Sequence, residues 1–101
     1  MGNKNVEQWK SILMDKFYQT KTINNEVNKN DVFRKEILEM LEKYKNMNWG
    51  DTCKEDWAMN DHAVLSGDER IVAKYKTSKG DVFIITEWDR SATTILFACE
   101  Y

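Results

Sequence analysis

"RIVAKYKTSKGDVFIITEWDRSATTILFA", residues 70–98, carries the pattern that decides the fold. Ile71, Ala73 and Tyr75 alternate with Arg70, Lys74 and Lys76, the period of two expected of a half-buried strand. After the turn at Thr77-Ser78-Lys79-Gly80-Asp81, both parities of the next run are apolar, Val82 and Ile84 against Phe83 and Ile85. That predicts a central strand covered on more than one face. A third run, "ATTILFA", follows. The spacing predicts a three-stranded antiparallel meander with strands at about 70–76, 81–87 and 92–98.

Upstream the period lengthens. In "NVEQWKSILMDKFYQT" the residues Val6, Trp9, Ile12, Leu13 and Phe17 fall on one helical stripe, which predicts a first helix at about 5–20. "TINNEVNKN" clusters asparagine with little periodicity and reads as a loop ending in a cap, Asn30 or Asp31. Phe33, Ile37, Met40 (or Leu41) and Tyr44 place a second helix at about 31–47. Thr52 and Glu55 have capping-box spacing, with Asp51 the alternative cap, and Gly67 is a stop signal. A third helix at about 53–66 follows, with Trp57, Ala58, Val64 and Leu65 as its buried stripe. The expected class is α+β, two or three N-terminal helices packed on the meander in one domain, 1–101.

Composition narrows the function. With 42% hydrophobic and 32% charged residues the chain has the make-up of a globular protein. No apolar run approaches the roughly 20 residues of a membrane span, and "MGNKNVEQWK" lacks the apolar centre of a signal peptide, so the expected location is the cytoplasm. Residues 1–48 carry nine basic and seven acidic side chains, whereas 49–101 carry six and ten. A clustered basic stripe, the footprint of a phosphate-backbone binder, is missing, which argues against direct nucleic-acid binding. Cys53 and Cys99 lie outside any CxxC, and His62 is the single histidine. Free thiols and no zinc site are expected, and no cofactor is.

Two groups could carry chemistry. Asp51, Glu55, Asp56 and Asp61 form an acidic run around the third predicted helix. Its first members read as helix-terminal charges favoured by the dipole, or, with Glu87 and Asp89, as carboxylates for acid–base work or a divalent cation. The turn "EWDRSATT" has neither Gly nor Pro. Read structurally, Arg90 pairs with Glu87 or with an acid of the third helix, while Asp89 and Ser91 tie the backbone in an Asx-type turn. Read as a recognition tip, an exposed Trp88 beside Arg90 is the pairing enriched at protein–protein hot spots. No catalytic constellation emerges: Cys53 and His62, nine apart on one helix, stand about 13 Å apart along its axis. Trp9, Trp49 and Trp57 are at helix-face or helix-entry positions and read as core.

"NWGDTCKEDWAMNDHAVLSGDERIVAKY" followed by "GDVFIITEWDRSATTILFACEY" resembles short proteins of plasmids, integrative elements and phages, labelled "plasmid-related protein" or, loosely, "type I restriction endonuclease subunit M". The resemblance rests on Trp49-Gly50-Asp51, Cys53, Glu55, Asp56, Asn60, Gly67, Ile85-Thr86-Glu87, Asp89-Arg90-Ser91, Thr93-Thr94 and Glu100-Tyr101. It implies a mobile-element accessory protein. A catalytic modification subunit does not fit, because the chain has no methyltransferase motif and is too short for that cofactor fold. Trp88 departs from the small residue expected there, and Phe97-Ala98-Cys99 replaces an apolar-Pro-polar ending.

Three functions are set against one another. The first is a non-enzymatic anti-defence protein that inhibits a host CRISPR effector or restriction complex. In that reading Asp51, Glu55, Asp56 and Asp61 compete for a basic channel, and Glu87, Trp88, Asp89 and Arg90 form a second contact. The second is a regulatory or structural protein-binding module, a homodimer included. The third is a metal-dependent hydrolase using Glu87, Asp89 and an acid near Asp51.

Overall fold

The computed structural model describes residues 3–11 and 16–101. Among them, four α-helices and a four-stranded mixed sheet replace the expected three-stranded meander: α1 (Lys4–Lys10), β1 (Phe17–Gln19), α2 (Lys21–Lys29), α3 (Asp31–Lys45), α4 (Lys54–Ser66), β2 (Ile71–Thr77), β3 (Gly80–Thr86) and β4 (Thr93–Phe97), closed by a 3₁₀ turn at Ala98–Glu100. The strand order is β1-β4-β3-β2. β2, β3 and β4 pair antiparallel, as their hairpin spacing predicts, but β1 runs parallel to β4 with Phe17 opposite Thr93.

The correction lies at the N-terminal end. The first helix, expected over 5–20, stops at Lys10, where the Ser11 N–H bonds back to the Gln8 and Trp9 carbonyls; Ile12 and Leu13 of its expected stripe lie outside the described residues. Phe17–Gln19 are too few to show a period and take their order from β4: Thr93 N–H donates to Lys16 O and Thr20 N–H to Ile95 O, both 3.1 Å. The expected loop after it is a helix. Thr20 Oγ1 accepts from Ile23 N–H and caps α2, and Ile23 and Val27, one turn apart, put an apolar stripe on α3 and β4. Burying them outweighs the modest helix propensity of Asn24, Asn25 and Asn28, a few tenths of a kcal/mol each against alanine.

One face of the sheet packs on the helices. Ile71, Ala73 and Tyr75 of β2, Val82, Ile84 and Thr86 of β3, and Thr93, Ile95 and Phe97 of β4 are all buried there. α3 supplies Phe33, Ile37, Met40 and Tyr44, the stripe read from the sequence, and Phe33 stacks on Phe97 at 5.6 Å between ring centroids. Trp9, Tyr44 and Trp49 close the core with centroids 5.1 to 5.8 Å apart. Each buried indole N–H has an acceptor, Tyr44 O for Trp9 and Asp61 Oδ1 for Trp49, as an apolar surrounding demands. The Tyr44 hydroxyl meets Thr86 Oγ1 at 2.7 Å, which meets Thr93 Oγ1 at 2.8 Å, a buried chain joining α3 to β3 and β4. Burial pushes the Tyr44 phenol above its ordinary pKa, so it stays neutral at any physiological pH.

α4 stands against the edge of β2 and corrects two more expectations. Its buried residues are Asn60, Ala63 and Val64, while Ala58 and Leu65 face outward and Trp57 is half-buried. Its N-cap is Cys53, with no side-chain bond. Asp51 and Thr52 are not caps because their side chains are spent on β2. At the far end Gly67, in the left-handed region at φ 79°, stops the helix and donates to Ala63 O.

Candidate functional site

Two places where acidic and aromatic residues gather, the α4 flank of the sheet and the Glu87–Ser91 turn, were the candidates in the sequence. The structure divides their residues between scaffold and surface.

The segment from Asn48 to Asp61 seals the outer edge of β2. Asn60 Nδ2 donates to Val72 O at 2.9 Å and its Oδ1 faces Val72 N–H. Thr52 Oγ1 accepts from Lys74 N–H, Asp51 N–H donates to Lys74 O, and Asp51 Oδ2 accepts from Lys76 N–H, each at 2.8 Å. The outward N–H groups of Val72, Lys74 and Lys76 and the carbonyls of Val72 and Lys74 are thereby satisfied, which blunts the edge strand against pairing with another chain. The approach is close enough to need Gly50: it sits at φ 63°, and a Cβ there would come within 2.3 Å of the Tyr75 ring. That ring cannot move aside, since its hydroxyl donates to Asn48 O at 2.7 Å. Asp51 and Asp61 are therefore structural ligands of backbone and indole, whereas Glu55 and Asp56, in the first turn of α4, are exposed.

The Glu87–Ser91 turn is built around Arg90. Arg90 N–H donates to Glu87 O at 2.9 Å, and Arg90 occupies the left-handed region at φ 62°, which costs roughly 1–2 kcal/mol for a residue with a Cβ. Its guanidinium offsets that cost. Nη1 donates to Glu69 O at 2.6 Å, Glu87 O at 3.2 Å and Trp88 O at 3.3 Å, and Nη2 to Ala63 O at 2.8 Å. Cζ lies 5.8 Å from the Trp9 ring centroid. The expected pairing of Arg90 with carboxylates is corrected: its partners are carbonyls, including that of the last turn of α4, where positive charge suits the dipole. Desolvation lowers the Arg90 pKa, and the nearby Asp68 and Glu69 charges oppose that shift. Glu87 instead places Oε1 3.8 Å from Arg70 Nε. Asp89 Oδ1 accepts from Ser91 N–H at 3.0 Å, an Asx turn, and the Ser91 hydroxyl and N–H hold its carboxyl below the ordinary value.

Two exposed features remain. Trp88, at the tip of this locked corner, has 62% of its surface in solvent. Beside α4, two grooves of about 450 and 370 Å³ share Asp56 and Val72 and form one trough. Met59 and Ala63 line its helix side, and Phe83 and Tyr101 its sheet side, with their rings edge to face at 5.3 Å. Arg70 Nη1 donates to the Tyr101 hydroxyl at 3.0 Å and fixes that wall. At the α4 C-terminal end, His62 Nδ1 and Glu69 Oε2 meet at 3.0 Å.

The carboxylates of the hydrolase reading do not converge. Asp51 joins β2 at Lys74–Lys76, while Glu87 reaches Arg70 beyond its opposite end, about 15–20 Å away at strand rise. Among the described residues no three His, Cys, Asp or Glu side chains are grouped to hold a metal ion. No described helix is long and apolar enough to cross a membrane, and Cys53 and Cys99 are free thiols. The trough was missed in the sequence; exposed Met59 and the surplus Phe83 on the outer parity of β3 were its signals. No protein-family model, no curated protein and no solved structure matches the chain.

Proposed function

We propose that the protein is a non-enzymatic accessory protein of a mobile element that acts in the bacterial cytoplasm by binding a host CRISPR effector or restriction complex and blocking it. The observation that carries the binding part is Trp88. A large aromatic side chain stands in solvent on a turn whose backbone is held by the Arg90 guanidinium and the Asp89 Asx turn. An anchor fixed before the encounter loses little conformational entropy on binding, and tryptophan is the residue most enriched at interface hot spots. The resemblance of the C-terminal half to plasmid and phage proteins supplies the biological setting, and the exposed carboxylates of α4 suit a target that handles nucleic acid with basic surfaces.

The test titrates the purified chain into DNA-cleavage reactions of the CRISPR and restriction complexes of its host. Stoichiometric suppression in at least one system is expected, and Trp88→Ala should raise the half-inhibitory concentration at least about tenfold, the scale of a hot-spot truncation, while leaving the melting temperature unchanged. Undiminished cleavage at excess protein in every system contradicts the inhibitor reading. Full inhibition by Trp88→Ala contradicts the role of the tip.

A further inference from the structure

The trough beside α4 is a second surface, separate from the Trp88 tip. Its floor and sheet side are apolar where Val72, Phe83 and Tyr101 meet, and Met59 on the helix side is 66% exposed. It extends along α4 from Cys53 to Ala63, about 15 Å or nearly three helical turns.

Two observations define what fits. The first concerns the backbone. At Val72, Lys74 and Lys76 the outward N–H groups of β2 are taken by Asn60, Thr52 and Asp51, and the carbonyls of Val72 and Lys74 by Asn60 and the Asp51 N–H. An extended segment would find no ladder to join here, so an occupant has to satisfy its own backbone, which a helix does. The second concerns charge. Asp56 and Glu69 line the trough, Glu69 Oε2 also meeting His62 Nδ1 at 3.0 Å, and Glu55 and Asp68 are their exposed neighbours in the chain. On the sheet side Arg70 is held by Tyr101 and Glu87, and Lys74 is the facing cation. The rim along α4 is thus acidic and the groove between is apolar.

We propose that the trough binds an amphipathic helix of the partner protein, apolar residues seated on Met59, Val72, Phe83 and Tyr101 and a lysine- or arginine-bearing flank turned toward Asp56 and Glu69. The docking rests on the protein-binding reading above and names the segment recognised. A nucleic-acid strand is disfavoured by the same acids, and a second copy of this chain would set acidic rim against acidic rim.

The experiment uses a synthetic amphipathic helix of leucine and lysine and its leucine–glutamate counterpart with identical apolar spacing, with fluorescence anisotropy for affinity and ¹H–¹⁵N shift mapping for location. No nuclease is present, so the outcome is independent of whether the protein inhibits one. The lysine peptide is expected to bind at least about tenfold more tightly, with shifts at Met59, Val72, Phe83 and Tyr101. Asp56→Lys should abolish that preference and Met59→Glu should abolish binding, each with an unaltered urea midpoint, because both side chains are exposed. Glu39→Lys, an exposed acid on α3, should change nothing. Equal binding of the two peptides, no binding at millimolar concentration, shifts confined to other faces, or an equal loss from Glu39→Lys would overturn the docking site.

Discussion

The inner and outer sides of the Asn48–Glu69 region are made from the same few residue types and do opposite things. On the side tied into the fold, Asp51, Thr52 and Asn60 are hydrogen-bonded to the β2 backbone and Asp61 to the Trp49 indole. On the side open to solvent, Glu55, Asp56, Met59 and Asp68 are exposed, Asp56 and Met59 beside Val72 in the trough. Adjacent carboxylates therefore differ in duty because of the face on which they fall. An acidic run in a sequence is a count of charges; only placement separates those that hold the fold from those that meet a partner.

The largest effect expected from breaking the inner side is at Gly50. Gly50→Ala puts a Cβ into the Tyr75 ring and a side chain at φ 63°, and should cost about 3 kcal/mol or more by urea denaturation, from left-handed strain and overpacking together. Asn60→Leu comes next: it removes the partners of Val72 N–H and C=O beside a packed helix, and should cost about 2 kcal/mol. At the corner, Arg90→Ala loses the carbonyl bonds and keeps the left-handed strain, whereas Arg90→Gly loses the bonds and relieves it. The glycine variant should be the more stable by about 1 kcal/mol, measured the same way. The smallest effect belongs to Asp89. Its carboxyl is held below the ordinary 3.8, so its contribution is complete above that value and is lost as pH falls through the lower folded value. Acid melting curves of the wild type and Asp89→Ala should therefore converge below that range and stay slightly apart above it.

The sheet's antiparallel part, the α3 stripe and the Gly67 stop were legible because each is encoded locally, by a period or a stop residue. β1 was not, since three residues show no period and their partner strand lies more than 70 residues away. α2 was hidden by its asparagines, although Thr20 three residues before Ile23 is a cap signal and Ile23–Val27 a one-turn repeat. At the candidate site, the turn and its Asx bond were readable from Asp89 and Ser91. The partners of Arg90 were not: a guanidinium prefers carboxylates on charge alone, and here the carbonyls of Ala63 and Glu69 converge on it from the C-terminal end of α4. The edge-sealing role of Asp51 and Asn60 likewise depends on which strand ends the sheet, a fact of topology.

The division of the acidic run is tested most directly by two double variants with the same net charge. Asp51→Ala with Asp61→Ala, and Glu55→Gln with Asp56→Asn, each take the chain from −2 to 0. Urea midpoints and affinity for the leucine–lysine helix would be measured on the same preparations. The first variant should lose roughly 2–3 kcal/mol of stability through its orphaned Lys76 and Trp49 donors while its folded fraction binds like the wild type. The second should stay within about 0.5 kcal/mol of wild-type stability and lose most of its affinity. Equal losses of stability, or equal losses of affinity, in the two variants would contradict the account.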